Sequence, residues 1–232
     1  LEIYNEKPND LLAKEGAKKE ELKIFASGET GVVVKNLTLV KASSAAEVLG
    51  TLQRGAARRS TSATAMNAAS SRSHSLVQVH VHGRNSRTGA TTTGKLNLVD
   101  LAGSERVKKS QVEGPGMKEA QGINKSLSTL GLVLNQLQTK AKSINFRDSK
   151  LTTLLQDSLG GSSKTFMIVN VSPDANSAQE TKCTLEFGER ARRVELGKAS
   201  GNQSAGASLH ELEAAQKAAA AASERAAAVE ER

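Results

Sequence analysis

Apolar residues recur with two different periods along the chain, and the period separates strands from helices. Valines alternate with polar residues over 76–82. This alternation predicts a half-buried strand with Val77, Val79 and Val81 on one face. Short apolar runs predict further strands at 32–34, 37–40, 95–101 and 166–171.

Helix signals occupy the segments between these runs. Ser44 and Glu47 have the spacing of a capping box ahead of an apolar stretch, which predicts a helix from about Ser44 to Arg58. Similar patterns predict helices over about 118–137, 149–159 and 178–194, the second of them closed by glycines 160 and 161. Strands mixed with helices at these spacings predict an α/β layer fold.

The end of the chain differs from the rest in composition. Residues 1–199 carry the strand and helix patterns, 200–208 are typical of a flexible linker, and 209–232 form an Ala- and Glu-rich helix. Leu209 and Leu212 begin an apolar seam, but alanine fills most later positions, which argues against a strong coiled coil. Two alternatives stay open for this tail: a solvated single helix, which is favoured, and a helix that pairs with a helical partner.

Charge and composition narrow the classes of partner. The chain has 32 basic and 24 acidic residues, a net charge of +8, which predicts an acidic partner surface. Aromatic residues are only 2% of the chain, and this argues against nucleic-acid modules that stack bases on aromatic side chains. Cys183 stands alone, so no intrachain disulfide forms and a reducing compartment is expected. The sequence has no apolar run long enough to predict a membrane span.

Two segments suggest nucleotide chemistry. Gly89–Lys95 matches the first seven positions of a phosphate-binding loop. The eighth position is Leu96, where the motif requires Ser or Thr. A strand and not a helix follows it, so we interpret this segment as a hairpin tip. Asp100-Leu-Ala-Gly103 at the end of an apolar strand is a better signal, because Asp100 there can hold a water on Mg²⁺ and the Gly103 amide can meet a γ-phosphate.

Asp100–Gly103 alone is a weak signal, but it belongs to a set of five motifs that follow one another along the chain. They are Asn-Ala-Ala-Ser-Ser-Arg-Ser-His at 67–74, Asp-Leu-Ala-Gly-Ser-Glu-Arg at 100–106, Ile-Asn-Lys-Ser-Leu-Ser-Thr-Leu-Gly at 123–131, Arg-Asp-Ser-Lys-Leu-Thr at 147–152 and Leu-Gln-Asp-Ser-Leu-Gly-Gly at 155–161. This ordered set resembles the kinesin motor family over most of residues 1–199. Segments 110–121 and 193–197 are most similar to the kinesin-14 branch. The resemblance implies an α/β fold that is the C-terminal portion of the kinesin motor fold, with a central, mostly β sheet flanked by helices, related to the P-loop NTPases.

The resemblance also implies a site for ATP and Mg²⁺. Residues 67–74 are similar to switch I and residues 100–105 to switch II. As the catalytic pair, Arg72 would contact Glu105 when the site closes, through a directional Arg–carboxylate contact. The implied cofactor contacts are Asn67, Ser70, Ser71, Asp100 and Gly103, with Ser71 at the Mg²⁺ and Asp100 reaching it through a water.

A tubulin-facing surface is the second implication of the resemblance. The family's helix after switch II is its main microtubule contact, and acidic tubulin would account for the basic charge of this chain. Lys108 and Lys109 lie in the basic loop before that helix. For these two lysines, a solvated surface with no tubulin contact is an equal alternative. The implied microtubule contacts are Lys108, Lys109, Asn124, Lys125, Arg147 and Lys150. The corresponding location is the cytoplasm, on the microtubule cytoskeleton.

In the kinesin family the phosphate-binding loop precedes all of these motifs. The chain begins inside a predicted strand and without an initiator Met, so we expect a partial motor domain. ATP and Mg²⁺ should then bind only with the missing N-terminal half or with another chain that completes the sheet, and the chain alone should be inactive. The leading hypothesis is an ATP-driven microtubule motor. The alternative is a non-motile, microtubule-associated scaffold.

Overall fold

The structure is a computed structural model that describes residues 1–14, 16, 20–27, 31–63, 72–103, 115–160, 163–196 and 203–204, with only the backbone at 27, 60–63, 115–121, 123 and 203–204. It divides into two compact units. The first comprises 1–77 with 97–199, and the second 78–96 with 200–232. The domain boundaries that the sequence suggests, at 199 and 208, stay a prediction.

Strands and helices are mixed along the chain, as the sequence predicts. The strands are β1 (Glu2–Tyr4), β2 (Lys7–Asn9), β3 (Lys23–Ser27), β4 (Gly31–Lys35), β5 (Ser73–Arg84), β6 (Thr91–Asp100) and β7 (Gln203–Ser204). The helices are α1 (Ala45–Ala63), α2 (Pro115–Gln138), α3 (Lys150–Leu154), α4 (Gln156–Gly160) and α5 (Ala178–Arg192), with short 3-10 turns at Phe146–Asp148 and Ala175–Ser177. No helix in the described ranges has the length and apolarity needed to cross a bilayer.

The first unit contains the strand order β2-β1-β5-β6. β1 is antiparallel to both of its neighbours, with Glu2 opposite Asn9 on one side and opposite Ser75 on the other. β3 and β4 form a separate hairpin. In the second unit β6 lies between β5 and β7, and Thr91 of β6 is opposite Ser204.

The core of the first unit lies between its helices and the buried ends of β1 and β5. Leu130, Val133 and Leu134 fall on one stripe of α2 because they follow the helical period. They pack against residues from the strands and from α3 and α4, and burial of each such side chain is worth about 1.5–3 kcal/mol. The buried cluster comprises Ile3, Val32, Leu76, Leu130, Val133, Leu134, Phe146, Leu151, Leu154, Leu155 and Leu159.

Several sequence predictions are confirmed. Ser44 Oγ accepts a hydrogen bond from Glu47 N at 3.3 Å, and the Glu47 carboxylate accepts from Ser43 N at 2.8 Å, so the predicted cap starts α1. The helix then continues to Ala63, beyond its predicted end. The segment Gly89–Lys95, which resembles a phosphate-binding loop, contains the end of a turn and the start of β6. The Asn85 amide closes the turn by donating to the Ala90 carbonyl oxygen at 2.8 Å.

Three strand predictions need correction, those for 37–40, for β5 and for 166–171. Residues 37–40 form no strand, because the Thr38 amide donates to the Asp10 carboxylate at 2.8 Å and not to a neighbouring strand. β5 is not half-buried along its length, since Val81 on the predicted apolar face is 56% exposed. Within the predicted linker, residues 203–204 form β7. The tail at 209–232 lies outside the described residues.

The predicted helix over 149–159 is two short helices. Ser149 caps the first, accepting from Leu151 N at 3.2 Å. Leu155 then leaves helical geometry, with φ −87° and ψ 1°, and separates α3 from α4. Both helices still bury their leucines, so the break redirects the chain without exposing the apolar face.

The predicted strand at 166–171 is not formed. The segment has no regular structure, and Phe166 and Ile168 are 89% and 85% exposed. The alternate residues Met167 and Val169 are less exposed, at 37% and 36%. The period of two typical of a strand is therefore present, but none of the described strands pairs with the segment.

Candidate functional site

The start of β5 and the end of β6 lie at the same end of the sheet. The two strands are neighbours and are joined by a tight turn, so they run antiparallel. Half-buried Arg72 precedes β5, and Asp100 ends β6 and is followed by Ala102 and Gly103. This geometry brings the two motifs that the sequence suggests for nucleotide chemistry to one edge of the first unit.

His74 connects this edge to helix α2. Its side chain is buried, with 2% exposure. Nδ1 accepts the backbone N–H of Ala102 at 3.0 Å, and Nε2 lies 2.7 Å from Ser126 Oγ on α2. Because Nδ1 is an acceptor, the neutral ring carries its proton on Nε2 and donates it to Ser126. Burial, and next the positive charge of Arg59, lower the pKa of His74 to about 4, against a smaller opposing effect of Asp100.

Arg59 of α1 is a residue that the sequence analysis missed. Its guanidinium donates to Asp100 Oδ2 at 2.7 Å and to the Ser73 carbonyl oxygen at 3.0 Å, and its Nε lies 3.9 Å from the Glu2 carboxylate. The Arg59 side chain is 13% exposed, whereas that of Asp100 is 68% exposed. Arg59 thus holds the ends of two strands together and leaves Asp100 accessible to solvent.

Only part of the predicted nucleotide site is described. Arg72, Asp100 and Gly103 lie at this edge of the sheet. Among the described residues, no group of three or more His, Cys, Asp or Glu side chains is placed to hold a metal ion. The exposed carboxylate of Asp100 fits the weaker role of holding a metal-bound water. The predicted residues Asn67, Ser70, Ser71 and Glu105 lie outside the described part of the chain.

The predicted tubulin contacts that are described are all exposed. Asn124 and Lys125 lie on α2, Arg147 lies in the 3-10 turn and Lys150 begins α3. α2 packs against both the turn and α3 through the buried cluster. The four side chains therefore project from elements that share one core. The other two candidates, Lys108 and Lys109, lie outside the described residues.

A second residue missed by the sequence analysis fixes these elements to β1. Glu6 accepts Ser149 Oγ and Lys150 N through its two carboxylate oxygens, each at 2.8 Å. It lies in a turn where Asn5 and Glu6 have φ of 49° and 59°, and Gly122 of α2 approaches that turn so closely that a Cβ would lie 3.0 Å from Asn5 Cα. The turn therefore touches both α2 and α3. Nothing near Glu6 in the sequence signals these contacts.

Comparison with known proteins shows the family of this chain. The profile of the kinesin motor domain matches residues 1–194. The chain belongs to the kinesin motor domain family. Kinesin-like protein KIN-14G of Arabidopsis thaliana is 51% identical over 203 residues, which are 88% of this chain and 20% of that protein. Kinesin-like protein KIN-14F of Oryza sativa subsp. japonica is 48% identical over 206 residues, 89% of this chain and 20% of that protein.

Solved kinesin structures share the fold. The structure of a fast kinesin superposes with a TM-score of 0.77 at 44% identity, covering 88% of this chain and 56% of that chain. The motor and motor homology domain of Kar3Vik1, fused to a synthetic coiled coil, gives a TM-score of 0.70 at 45% identity, covering 82% of this chain and 49% of that chain. The α/β kinesin motor fold and the kinesin-14 branch are confirmed. The chain spans about 20% of the length of these curated relatives.

Proposed function

We propose that the chain is the C-terminal part of the motor domain of an ATP-driven microtubule motor. The observation that carries the proposal is the connection of the backbone after Asp100 to helix α2 through His74 and Ser126. A motor requires such a connection, because the state of the bound nucleotide must change the affinity of the motor for the microtubule. A static binding surface has no need to join these two places.

At the nucleotide end, each switch residue has a separate role. Asn67, Ser70 and Ser71, in the segment before β5, would bind the nucleotide, with Ser71 as the ligand of Mg²⁺. Asp100 would hold a Mg²⁺-bound water, and the Gly103 amide would donate to the γ-phosphate. Mg²⁺ bound with ATP supplies charge neutralisation for phosphoryl transfer. The contact of Arg72 with Glu105 closes the site, as a directional Arg–carboxylate pair allows.

At the microtubule end, exposed polar and basic side chains meet acidic tubulin. Asn124 and Lys125 of α2 form the centre of this face, and Arg147 and Lys150 extend it along the turn and α3. Lys108 and Lys109 add positive charge in the segment before α2. Exposed charge pairs of this kind are screened by salt, so the binding should weaken as ionic strength rises.

We propose that the nucleotide end is completed by a further segment, from the N-terminal half of the motor domain or from a completing chain. That segment would supply a strand that pairs with 166–171, followed by the loop with the pattern Gly-x-x-x-x-Gly-Lys-[Ser/Thr]. The exposed side chains of Phe166 and Ile168 support this, because a surface of that kind is stabilised by an added layer. Leu98 of β6 is a further exposed apolar side chain, with 49% exposure.

Sheet completion is tested by peptide mapping of the native polypeptide together with a pair of variants. Ile168→Ser should weaken assembly of the motor domain, whereas Ser172→Ala, at the exposed end of the same segment, should leave it unchanged. A native polypeptide that lacks the Gly-x-x-x-x-Gly-Lys-[Ser/Thr] segment and associates with no chain that carries it would contradict the proposal.

The microtubule function is tested by co-sedimentation of the native polypeptide with microtubules, with ADP and with a non-hydrolysable ATP analogue. A motor predicts an affinity that differs between the two nucleotides. Binding that ignores the nucleotide would instead support a non-motile scaffold, and failure to bind at low salt would contradict both functions.

A further inference from the structure

We propose that His74 is a positioning residue that transmits a movement of the backbone at Ala102–Gly103 to helix α2, and so sets how strongly nucleotide binding changes microtubule affinity. This inference rests on the proposed motor function and adds to it the residue that couples the two sites.

The geometry of His74 suits a rigid connector. One ring nitrogen accepts from the Ala102 amide at 3.0 Å and the other lies 2.7 Å from Ser126 Oγ. An imidazole ring has no torsion between its two nitrogens, so the distance between the two hydrogen-bonding atoms is fixed. His74, Ala102 and Ser126 are 2%, 5% and 1% exposed, so water has little access to replace either hydrogen bond.

Each end of this connector lies beside a residue with a proposed role. Ala102 immediately precedes Gly103, whose amide is proposed to meet the γ-phosphate, so a rotation of that peptide group would also displace the Ala102 backbone. Ser126 immediately follows Lys125 and is separated by one residue from Asn124, both exposed on the proposed tubulin face. A displacement of the Ala102 backbone would thus reach α2 through His74 without passing through solvent.

The protonation state of His74 is consistent with this role. Nδ1 accepts the Ala102 amide only while it is unprotonated, and burial keeps the pKa of His74 at about 4. At neutral pH the ring therefore keeps one acceptor and one donor, each facing the correct partner. Protonation would place two donors in the same positions and break the contact with Ala102.

The test compares microtubule affinity in two nucleotide states. In the native polypeptide, the ratio of the dissociation constant with ADP to that with a non-hydrolysable ATP analogue measures the coupling. Ser126→Ala removes the acceptor on α2, and His74→Asn shortens the connector. Each should reduce the ratio at least about fivefold, the lower end of typical coupling between two sites. Ser128→Ala, a matched change at an exposed serine of α2, should keep the wild-type ratio.

The outcomes separate coupling from plain stability. If His74 only stabilises the fold, its variants will unfold at lower temperature and keep the wild-type ratio, which would overturn the inference. A wild-type ratio of one would instead refute the motor function, and the inference with it. Nitrogen-15 chemical shifts of His74 give a second readout that requires no variant: at pH 7 they should report a proton on Nε2, and a proton on Nδ1 would overturn the inference.

Discussion

The guanidinium of Arg59 donates to the carboxylate of Asp100 at 2.7 Å and so joins helix α1 to the end of β6. Arg59 is largely buried and also contacts Ser73 and Glu2, whereas Asp100 is exposed. The contact therefore brings a fixed positive charge to the carboxylate that is proposed to hold the Mg²⁺-bound water. The Arg59 side chain also connects α1 to three strands of the first unit, β1, β5 and β6.

Replacement of Arg59 should destabilise the fold. Arg59→Ala leaves the Glu2 carboxylate, whose side chain is 7% exposed, without this cation, and the Ser73 carbonyl without this donor. We expect the free energy of unfolding to fall by about 1–3 kcal/mol. Urea denaturation measures it. Arg54→Ala, at an exposed position of the same helix, is the control and should change stability by less than about 0.5 kcal/mol. Equal effects of the two variants would contradict the assigned contacts.

Acid should destabilise the chain through His74. The folded pKa is about 4, and that of an unfolded histidine is about 6.5. Between these values the unfolded state binds more protons, so the unfolding free energy falls as the pH falls from about 6.5 to 4, by up to about 3 kcal/mol. Above pH 6.5 this contribution is constant. Denaturation curves at several pH values measure the loss, and His74→Asn should show a shallower dependence. The same slope in both proteins would show that His74 is not responsible.

The Glu6 carboxylate should stabilise the start of α3. It accepts two hydrogen bonds, from Ser149 Oγ and from Lys150 N. We expect Glu6→Ala to lower the unfolding free energy by about 1–2 kcal/mol, as for loss of a helix cap, and Glu6→Gln to have a smaller effect. Thermal or urea denaturation provides the measurement. Glu20→Ala, at an exposed loop position, serves as the control. A loss no larger than the control's would refute this role.

Charge on the proposed tubulin face should control salt-sensitive binding. Arg147→Ala and Lys150→Ala should each weaken microtubule binding about two- to fivefold at low ionic strength, since exposed ion pairs are worth less than about 1 kcal/mol. The difference from wild type should shrink as salt is added. Co-sedimentation over a salt series measures both. Lys182→Ala, an exposed lysine of α5 outside this face, should bind like the wild type. An equal loss in all three variants would indicate a general effect of charge.

The sequence predicts elements whose signals are local. The cap formed by Ser44 and Glu47, and the amphipathic periods of α2 and α5, place these helices near their observed positions. The strand prediction at 166–171 fails because a strand requires a partner, and the local pattern of Phe166 and Ile168 carries no information about whether one is present. The break at Leu155 is equally invisible, because leucine is a good helix former.

The candidate site was predicted through its motifs and not through its contacts. Asp100 and Gly103 are candidates because an Asp-x-x-Gly sequence after a strand suits the binding of Mg²⁺ and phosphate. Arg59 was missed because its partner Asp100 is 41 positions away, and Glu6 because Lys150 is 144 positions away. His74 was recognised only as part of a motif, since its contacts with Ala102 and Ser126 follow from the fold.

The central claim is that this chain works within an ATP-driven microtubule motor. The most direct measurement is the steady-state rate of ATP hydrolysis by the native polypeptide, with and without microtubules. We predict a rate that microtubules increase at least about tenfold and that is lost in Glu105→Ala. A polypeptide that binds microtubules but hydrolyses ATP no faster in their presence would contradict the claim.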